Sequence, residues 1–288
     1  MQFGVFANIQ KEKVHPVLPT FVSWMKRQGY DFLLESDARG LCGTDVPSER
    51  CLSRTEIVRQ ADIILSFGGD GTLLSTAMEV GASCKPILGV NVGKLGFLTE
   101  IETHDLQSAV KRIQEGNYTV ETRMTLVAEW KGHSGKHVAL NDFALVRGES
   151  ARVIRIRTQV DGQFLNVYTA DGLIVATPTG STAYSLAANG PILAPTVPAV
   201  VINPICPHTL TARPLVINSD RTIQMTLISS DPATLTIDGR QEVEISTRTT
   251  IVIRRADHDI HLIRFGDRGF FDLLRSKLHW GEDVRPHE

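Results

Sequence analysis

The chain has 288 residues, with 30 Lys and Arg against 32 Asp and Glu, a formal net charge of −2, and 42% hydrophobic residues. Such a length buries a large core in one or two domains, and so balanced a charge leaves no overall basic field to hold nucleic acid. No run approaches the ~20 apolar residues of a membrane helix, and the start, MQFGVFANIQKEKVHP, lacks a basic segment ahead of a long apolar one, so it reads as a strand rather than a secretion signal.

Strand and helix patterns alternate at first. QFGVFAN (2–8) is an apolar run suited to a buried strand. In PVLPTFVSWMKRQG (16–29), Val17, Phe21, Trp24 and Met25 recur near helical spacing, and Gly29 supplies the stop. YDFLLES (30–36) is the next strand, and residues 37–52, with Gly, Pro, Ser and two cysteines, read as a mobile connection. Ser53 and Glu56 open SRTEIVRQ (53–60) as a capping box. ADIILSF (61–67) is the continuous apolar run of a central parallel strand. TLLSTAMEVG (72–81) predicts a helix, PILGVNVG (86–93) a strand, and THDLQSAVKRIQEGN (103–117) an amphipathic helix closed by Gly116.

Near residue 118 the pattern changes to short β-branched segments: TLVAEW, HVALNDFALV, ARVIRIRTQVDGQFLNVYTADGLIVATP, AVVINPI, PLVINS, TIQMTLI, ATLTIDG, QEVEIS and TTIVIRR. Asp161-Gly162, Asp171-Gly172 and Asp238-Gly239 read as the turns between them. One helix, STAYSLAAN (181–189), interrupts the strands and ends at Gly190-Pro191. The expectation is an α+β fold of two domains. An α/β domain with a parallel sheet spans 1–120, a β-rich domain spans 121–267, and the helix in 268–288 (FFDLLRSKLHW at 270–280) packs back on the first.

Cys42, Cys51, Cys84 and Cys206 form no CxxC pair and read as free thiols of a reducing compartment. His258 and His261, three apart in the predicted strand RADHDIHLI, point to opposite faces and make a poor metal clamp.

Three motifs carry chemistry. In Ser66–Leu74 a buried strand ends, glycines bracket Asp70, and a helix begins. Gly68, Gly69, Gly71 and Thr72 form a loop whose amides and helix N-terminus suit a phosphate; the plainer reading is a tight turn capped by Asp70. The Walker A pattern fails at Gly89–Leu95, which is one residue short and lacks the final Ser or Thr, and GxGxxG fails at Gly69–Leu74, which ends in leucine. The second motif is DGLIVATPTGSTAYS (171–185). Its segment Thr177–Thr182 carries four hydroxyls, with Ser181 or Thr182 as a helix cap and Tyr184 positioned to lay its ring on a base, or else to fill the core. The third is Asn141-Asp142, a polar pair inside an apolar strand, which would suit a ribose hydroxyl pair or a solvated turn. Arg147, Arg152, Arg155 and Arg157 follow as phosphate partners or as a solvated face.

Together GGDGT, ND, DGLIVATPTGSTAYSLAANGP, PHTLTARPLVI (207–217) and TIDGR (236–240) resemble the bacterial NAD kinases over essentially the whole chain. GGDGT is shared with diacylglycerol kinases, sphingosine kinases and phosphofructokinases; the long DGLIVATPTGSTAY run is the specific part. The resemblance implies transfer of the ATP γ-phosphate to the 2′-hydroxyl of the adenosine ribose of NAD, with the site between an α/β and a β-rich domain. It also implies Mg²⁺ accompanying ATP, a homodimer or homotetramer, and a cytoplasmic location. It places the proton acceptor at Asp70, NAD contacts at Gly71, Asn141, Asp142, Asp171 and Thr182, Ala183, Tyr184, Ser185, Leu186 and Ala187, and further contacts by spacing at Arg152, Thr169 and either Arg240 or Gln241. Asp142 stands where the family has Glu, one methylene longer. The competing expectations are a lipid kinase sharing GGDGT, which needs a large apolar acceptor groove, and a non-catalytic dinucleotide-binding regulator.

Overall fold

The computed structural model describes residues 1–43, 46–93, 96–148 and 152–280. The chain divides into two units, the first made of Met1–Glu79, Lys85–Glu121 and the described residues from His261 onward, the second of Val80–Cys84 and Thr122–Ile260.

The first unit is built on a sheet ordered Cys51–Leu52, Asp31–Glu35, Gln2–Ala7, Ile63–Gly68, Ile87–Asn91, Ile260–Arg264, Thr119–Arg123, with Ile101–Glu102 also paired to Ile87–Asn91. The ladders from Cys51–Leu52 across to Ile260–Arg264 are parallel. Every residue of Ile63–Gly68 is buried, as a central parallel strand requires. The helix Val14–Arg27 packs Leu18, Phe21, Trp24 and Met25 against Phe3, Leu65 and Phe67 in one core, which Leu106–Gln114 joins through Leu106, Val110 and Ile113. After Gln2–Ala7 the chain adds two strands on one side, then returns to build on the other. That reversal lies between Gln2–Ala7 and Ile63–Gly68, at whose carboxyl ends open α/β sheets bind ligands.

In the second unit two six-stranded antiparallel sheets share one core. One runs Leu215–Asn218, Ala199–Ile205, Gly172–Ala176, Asp142–Arg147, Ala233–Ile237, Gln241–Ile245; the other runs Gln163–Ala170, Ile154–Val160, Ile223–Leu227, Thr250–Arg255, Leu126–Trp130, His137–Ala139. Phe143, Leu145, Leu173 and Val175 of the first sheet interdigitate with Ile156, Met225, Ile251 and Ile253 of the second.

The fold class matches the expectation, and the Ser53–Glu56 capping box is present. Several elements differ. Residues 37–52 are not a bare connection: short helices at Ser36–Ala38, Arg39–Cys42 and Ser48–Arg50 lead into an edge strand, because Ala38, Cys42 and Val46 are buried in the core; Thr44 and Asp45 lie outside the described residues. HVALNDFALV splits into His137–Ala139 and Asp142–Arg147, which belong to different sheets. Asp161-Gly162 and Asp238-Gly239 are turns with positive φ at both residues, but Asp171-Gly172 is not one: there the chain leaves one sheet and enters the other. RADHDIHLI is likewise two strands. His258 sits in the crossing, its carbonyl accepting from Thr125 Oγ1 at 2.6 Å, so the argument from opposite faces does not apply to it. Strand propensity cannot register such sheet changes, since both sides read equally well as strand.

Candidate functional site

In the first unit only Gly69 separates the strand Ile63–Gly68 from the helix Asp70–Val80, which begins two residues before the predicted start. The first ladder bond runs from Leu73 N–H to Gly69 O at 3.0 Å. The amides ahead of Leu73 therefore stand outside the ladder, at the positive end of the helix dipole. Gly71 is exposed with open space around it, whereas Gly68 is glycine for packing, since a methyl there would strike Thr72.

Asp70 does not cap its own helix. Its Oδ2 accepts the Phe97 N–H at 2.8 Å and its Oδ1 the Leu98 N–H at 3.0 Å. Only glycine fits at position 96, because a methyl there would lie 1.8 Å from Asp70 Oδ1. The segment that holds Asp70 is itself held. Gly96 N–H donates to Thr99 Oγ1 at 3.2 Å, and the Leu98 carbonyl accepts from Arg264 Nη1 at 3.2 Å. Arg264 pairs with Glu100 at 3.0 Å, both side chains nearly buried. Each carboxylate oxygen of Asp70 has spent one acceptor site on an amide and retains another for a hydroxyl.

In the second unit Asp142 is 3% exposed and Asp238 9%. Asp238 accepts three backbone N–H groups, from Leu140 at 3.0 Å, Asn141 at 2.7 Å and Asp142 at 3.2 Å. Burial, then the charge of Asp238, push the Asp142 carboxyl up to about 7. Burial also raises Asp238, but its three amides and Arg240 pull it back. The charge of this pair therefore rests on Asp238 and the proton on Asp142. Asn141-Asp142 is no solvated turn: the Asp142 carboxyl is buried there beside Asp238.

The hydroxyl-rich motif is fastened to the same place. Thr177 N–H donates to Asn141 O at 2.8 Å and Thr177 Oγ1 to Leu140 O at 2.6 Å. Gly180 presses so close that a methyl would lie 2.1 Å from Asn141 O. The single helix predicted over 181–189 is two short pieces, Gly180–Thr182 and Tyr184–Ala187, separated by Ala183 at φ −100° and ψ −128°. Neither Ser181 nor Thr182 caps a helix. Ser181 Oγ donates to Pro178 O at 2.6 Å and accepts from Leu193 N–H at 2.9 Å, and Thr182 Oγ1 donates to Thr179 O at 3.1 Å. Hydroxyls that bond backward to the turn leave no partner for helix amides ahead. Tyr184 is 43% exposed and not part of the core. Ala183 and Leu186 are half-buried and Ala187 exposed. Ser185 is buried, and Asn203 Nδ2 donates to its Oγ at 3.2 Å and its carbonyl at 3.0 Å.

The remaining candidates are more dispersed. Asp171 pairs with Arg147 Nε at 3.0 Å. Thr169 is half-buried, its carbonyl accepting the His208 N–H at 2.9 Å. Arg152, Arg155, Arg157 and Arg240 are exposed, Arg157 lying over the Phe164 ring. Gln241 bonds His137, which stacks on Trp130 at 5.1 Å. Sequence reasoning missed Gly96, Phe97, Leu98 and Arg264. Failing a motif at 89–95 hid the glycine just beyond it. It also missed Asn203, whose signal is the one that exposed Asn141-Asp142, an amide inside an apolar strand.

Two family descriptions cover the chain: ATP-NAD kinase N-terminal domain over residues 3–118 and ATP-NAD kinase C-terminal domain over 140–265. An NAD kinase of Geotalea daltonii is 40% identical over 286 residues, spanning 98% of this chain and 99% of the relative. An NAD kinase of Acidobacterium capsulatum is 38% identical over 292 residues, with 98% and 99% covered. Among solved structures, yeast NADH kinase complexed with NADH superposes with a TM-score of 0.89 at 25% identity, over 100% of this chain and 90% of that one. An NAD kinase from Archaeoglobus fulgidus in complex with ATP gives 0.75 at 25% identity, over 97% and 99%.

Proposed function

The chain belongs to the ATP-NAD kinase family, and from that premise we infer that it transfers the γ-phosphoryl group of ATP to the 2′-hydroxyl of the adenosine ribose of NAD, giving NADP. The observation that carries the catalytic assignment is Asp70, fixed through both oxygens by the Phe97 and Leu98 amides at the mouth of the glycine loop.

In a loose phosphoryl-transfer transition state the protein positions and neutralises. Asp70 accepts the hydrogen bond of the 2′-hydroxyl, orients it, and takes its proton late, because a carboxylate is too weak a base to strip an alcohol beforehand. Help of this kind is worth roughly 10²–10⁴-fold. The loop of Gly68, Gly69, Gly71 and Thr72 takes phosphate. Asn141 and Asp142 hold the adenosine end of NAD through hydrogen bonds to its hydroxyls or amine. Tyr184 offers its exposed ring for stacking, with Thr182, Ala183, Ser185, Leu186 and Ala187 as the segment around it. Asp171, Thr169, Arg152 and Arg240 complete the proposed contacts.

Mg²⁺ carried by ATP would supply charge neutralisation on the phosphates. Among the described residues no three His, Cys, Asp or Glu side chains cluster to hold a metal. A cytoplasmic location fits four free cysteines, and no helix among the described residues is long and apolar enough to cross a membrane. A homodimer or homotetramer is part of the same proposal, and light scattering on the eluted protein tests it.

The deciding experiment mixes protein, NAD, ATP and Mg²⁺ and detects NADP with an NADP-specific dehydrogenase, with Asp70→Asn alongside. NADP from the wild type alone upholds the kinase and its base. No NADP from the wild type, with NAD still raising the melting temperature, sinks the kinase and leaves a binding protein.

A further inference from the structure

In the second unit one buried amide reaches out of a sheet to the turn that carries Tyr184. Asn203 lies inside the apolar strand Ala199–Ile205, opposite Ile174, and is fully buried. Its Nδ2 faces three acceptors: Ser185 O at 3.0 Å, Ser185 Oγ at 3.2 Å and Ala188 O at 3.3 Å. Carbonyls only accept, so the nitrogen and not the oxygen of the side chain meets the turn. The Asn203 Oδ1 is buried and has no hydrogen-bond partner among the described residues, which costs stability. Gly190 keeps the space for this contact, since a methyl there would strike Ser185 Oγ and Asn203 Nδ2.

The turn needs such an anchor. Tyr184–Ala187 is a single helical turn that stops before Asn189, whose φ is 61°. One turn does not hold itself, because nucleation fixes several residues for one hydrogen bond. Its own bonds include Leu186 N–H to Ala183 O at 3.1 Å and Ala188 N–H to Tyr184 O at 3.0 Å. The Ser185 and Ala188 carbonyls belong to its open end. Ser185 O takes the Gly190 N–H at 2.8 Å together with the Asn203 amide. Tyr184 is not part of the core, so the place of its ring follows the backbone of this turn. We propose that Asn203 is a positioning residue for NAD: it clamps Tyr184–Ala187 to the sheet and so presents Tyr184 to the dinucleotide. An apolar side chain at 203 would leave no oxygen unpaired, but only a donor can hold the turn's carbonyls. The proposal rests on the kinase reading, in which residues 182–187 contact NAD, and adds to it a residue outside that segment that sets NAD affinity.

The test compares wild type with Asn203→Leu, which keeps the bulk and removes the donor, and with Asn203→Ser, which serves if the first fails to fold. Each is read in three ways: amide hydrogen exchange without ligand, titration with NAD, and NADP formation with NAD or ATP varied. The expected result is faster exchange at Leu186, Ala188 and Gly190 with the strands unchanged. Kd and KM for NAD rise about 10-fold, while kcat and the KM for ATP stay at the wild-type value. A role confined to stability would instead lower kcat through the folded fraction and leave the KM for NAD alone, and that result overturns the proposal. Unchanged exchange in the turn overturns it whether or not the wild type makes NADP, and so does faster exchange with wild-type NAD affinity. A wild type that makes no NADP but loses NAD affinity with Asn203 overturns the kinase reading and upholds the clamp. A wild type that binds no NAD overturns both.

Discussion

Asp70 and Asp142 are both aspartates of candidate site motifs, and their surroundings differ: one carboxylate receives backbone amides, and the other carboxyl is buried beside a second acid. Asp70 is half-exposed and receives two backbone amides, Phe97 and Leu98, from a segment far along the chain. Asp142 is buried beside Asp238, which has taken the three amides in reach, so Asp142 carries the proton. The contrast shows that residue type decides little: one aspartate is held through both oxygens by distant amides, and the other is pushed up by burial beside a second acid.

The sharpest way to break this contrast is Asp70→Asn. Turnover should fall by roughly 10²–10⁴-fold while NAD still shifts the melting temperature; persistence of turnover would remove Asp70 from catalysis. Next come the glycines that brace each aspartate's surroundings. Gly180→Ala drives a methyl into Asn141 O and should cost about 1–3 kcal/mol of stability, seen in denaturant melts, together with NAD affinity. Gly96→Ala strikes the Asp70 carboxylate instead and should lower kcat more than the melting temperature.

A third prediction uses pH. Asp142 binds its proton more tightly folded, with a pKa of about 7 against an ordinary 3.8. Between those values the native state holds more protons than the unfolded one, so stability is full below the lower value and falls as pH rises through the upper. The slope is at most ~1.4 kcal/mol per pH unit. Asp142→Asn should flatten that window in melts taken from pH 4 to 8. NAD affinity in the wild type should climb toward pH 7 and level off above it, and a flat wild-type profile would refute an ionised Asp142 in the complex. The smallest effect is expected at Tyr184→Ala, where the lost stacking weakens NAD binding by about 0.5–1.5 kcal/mol. Stability there should move within about 0.5 kcal/mol, as at an exposed side chain.

What the sequence disclosed was local. A strand, a glycine turn and a helix follow one another within the GGDGT region, and Ser53 sits three residues from Glu56, so one short window contains the whole signal. Asp70 could be picked out, but its partners could not: Phe97 and Leu98 lie 27 and 28 residues away. The tripod under Asp238 closes over 96 to 98 residues, and nothing in TIDGR announces it. The helix over 181–189 failed for a different reason. Its hydroxyls suit a cap and a backward turn equally, and the Leu193 amide and Pro178 carbonyl decided between them.

The strand Ile260–Arg264 has a consequence in time as well as space. It lies between Ile87–Asn91 and Thr119–Arg123, and its Arg264 holds both Glu100 and the Leu98 carbonyl behind Asp70. Ribosomal synthesis runs from the N-terminus, so the sheet that begins with Gln2–Ala7 must wait for residues 260–264 before it closes. Until then Ile101–Glu102 covers only Val90 and Asn91, and the Ile87 end of the strand Ile87–Asn91 keeps an open edge, a place where nascent chains pair wrongly. The second unit, whose strands all lie between residues 126 and 255, needs no such wait. A polypeptide stalled or truncated before Ile260 would thus own every residue of the glycine loop and still lack the brace behind Asp70.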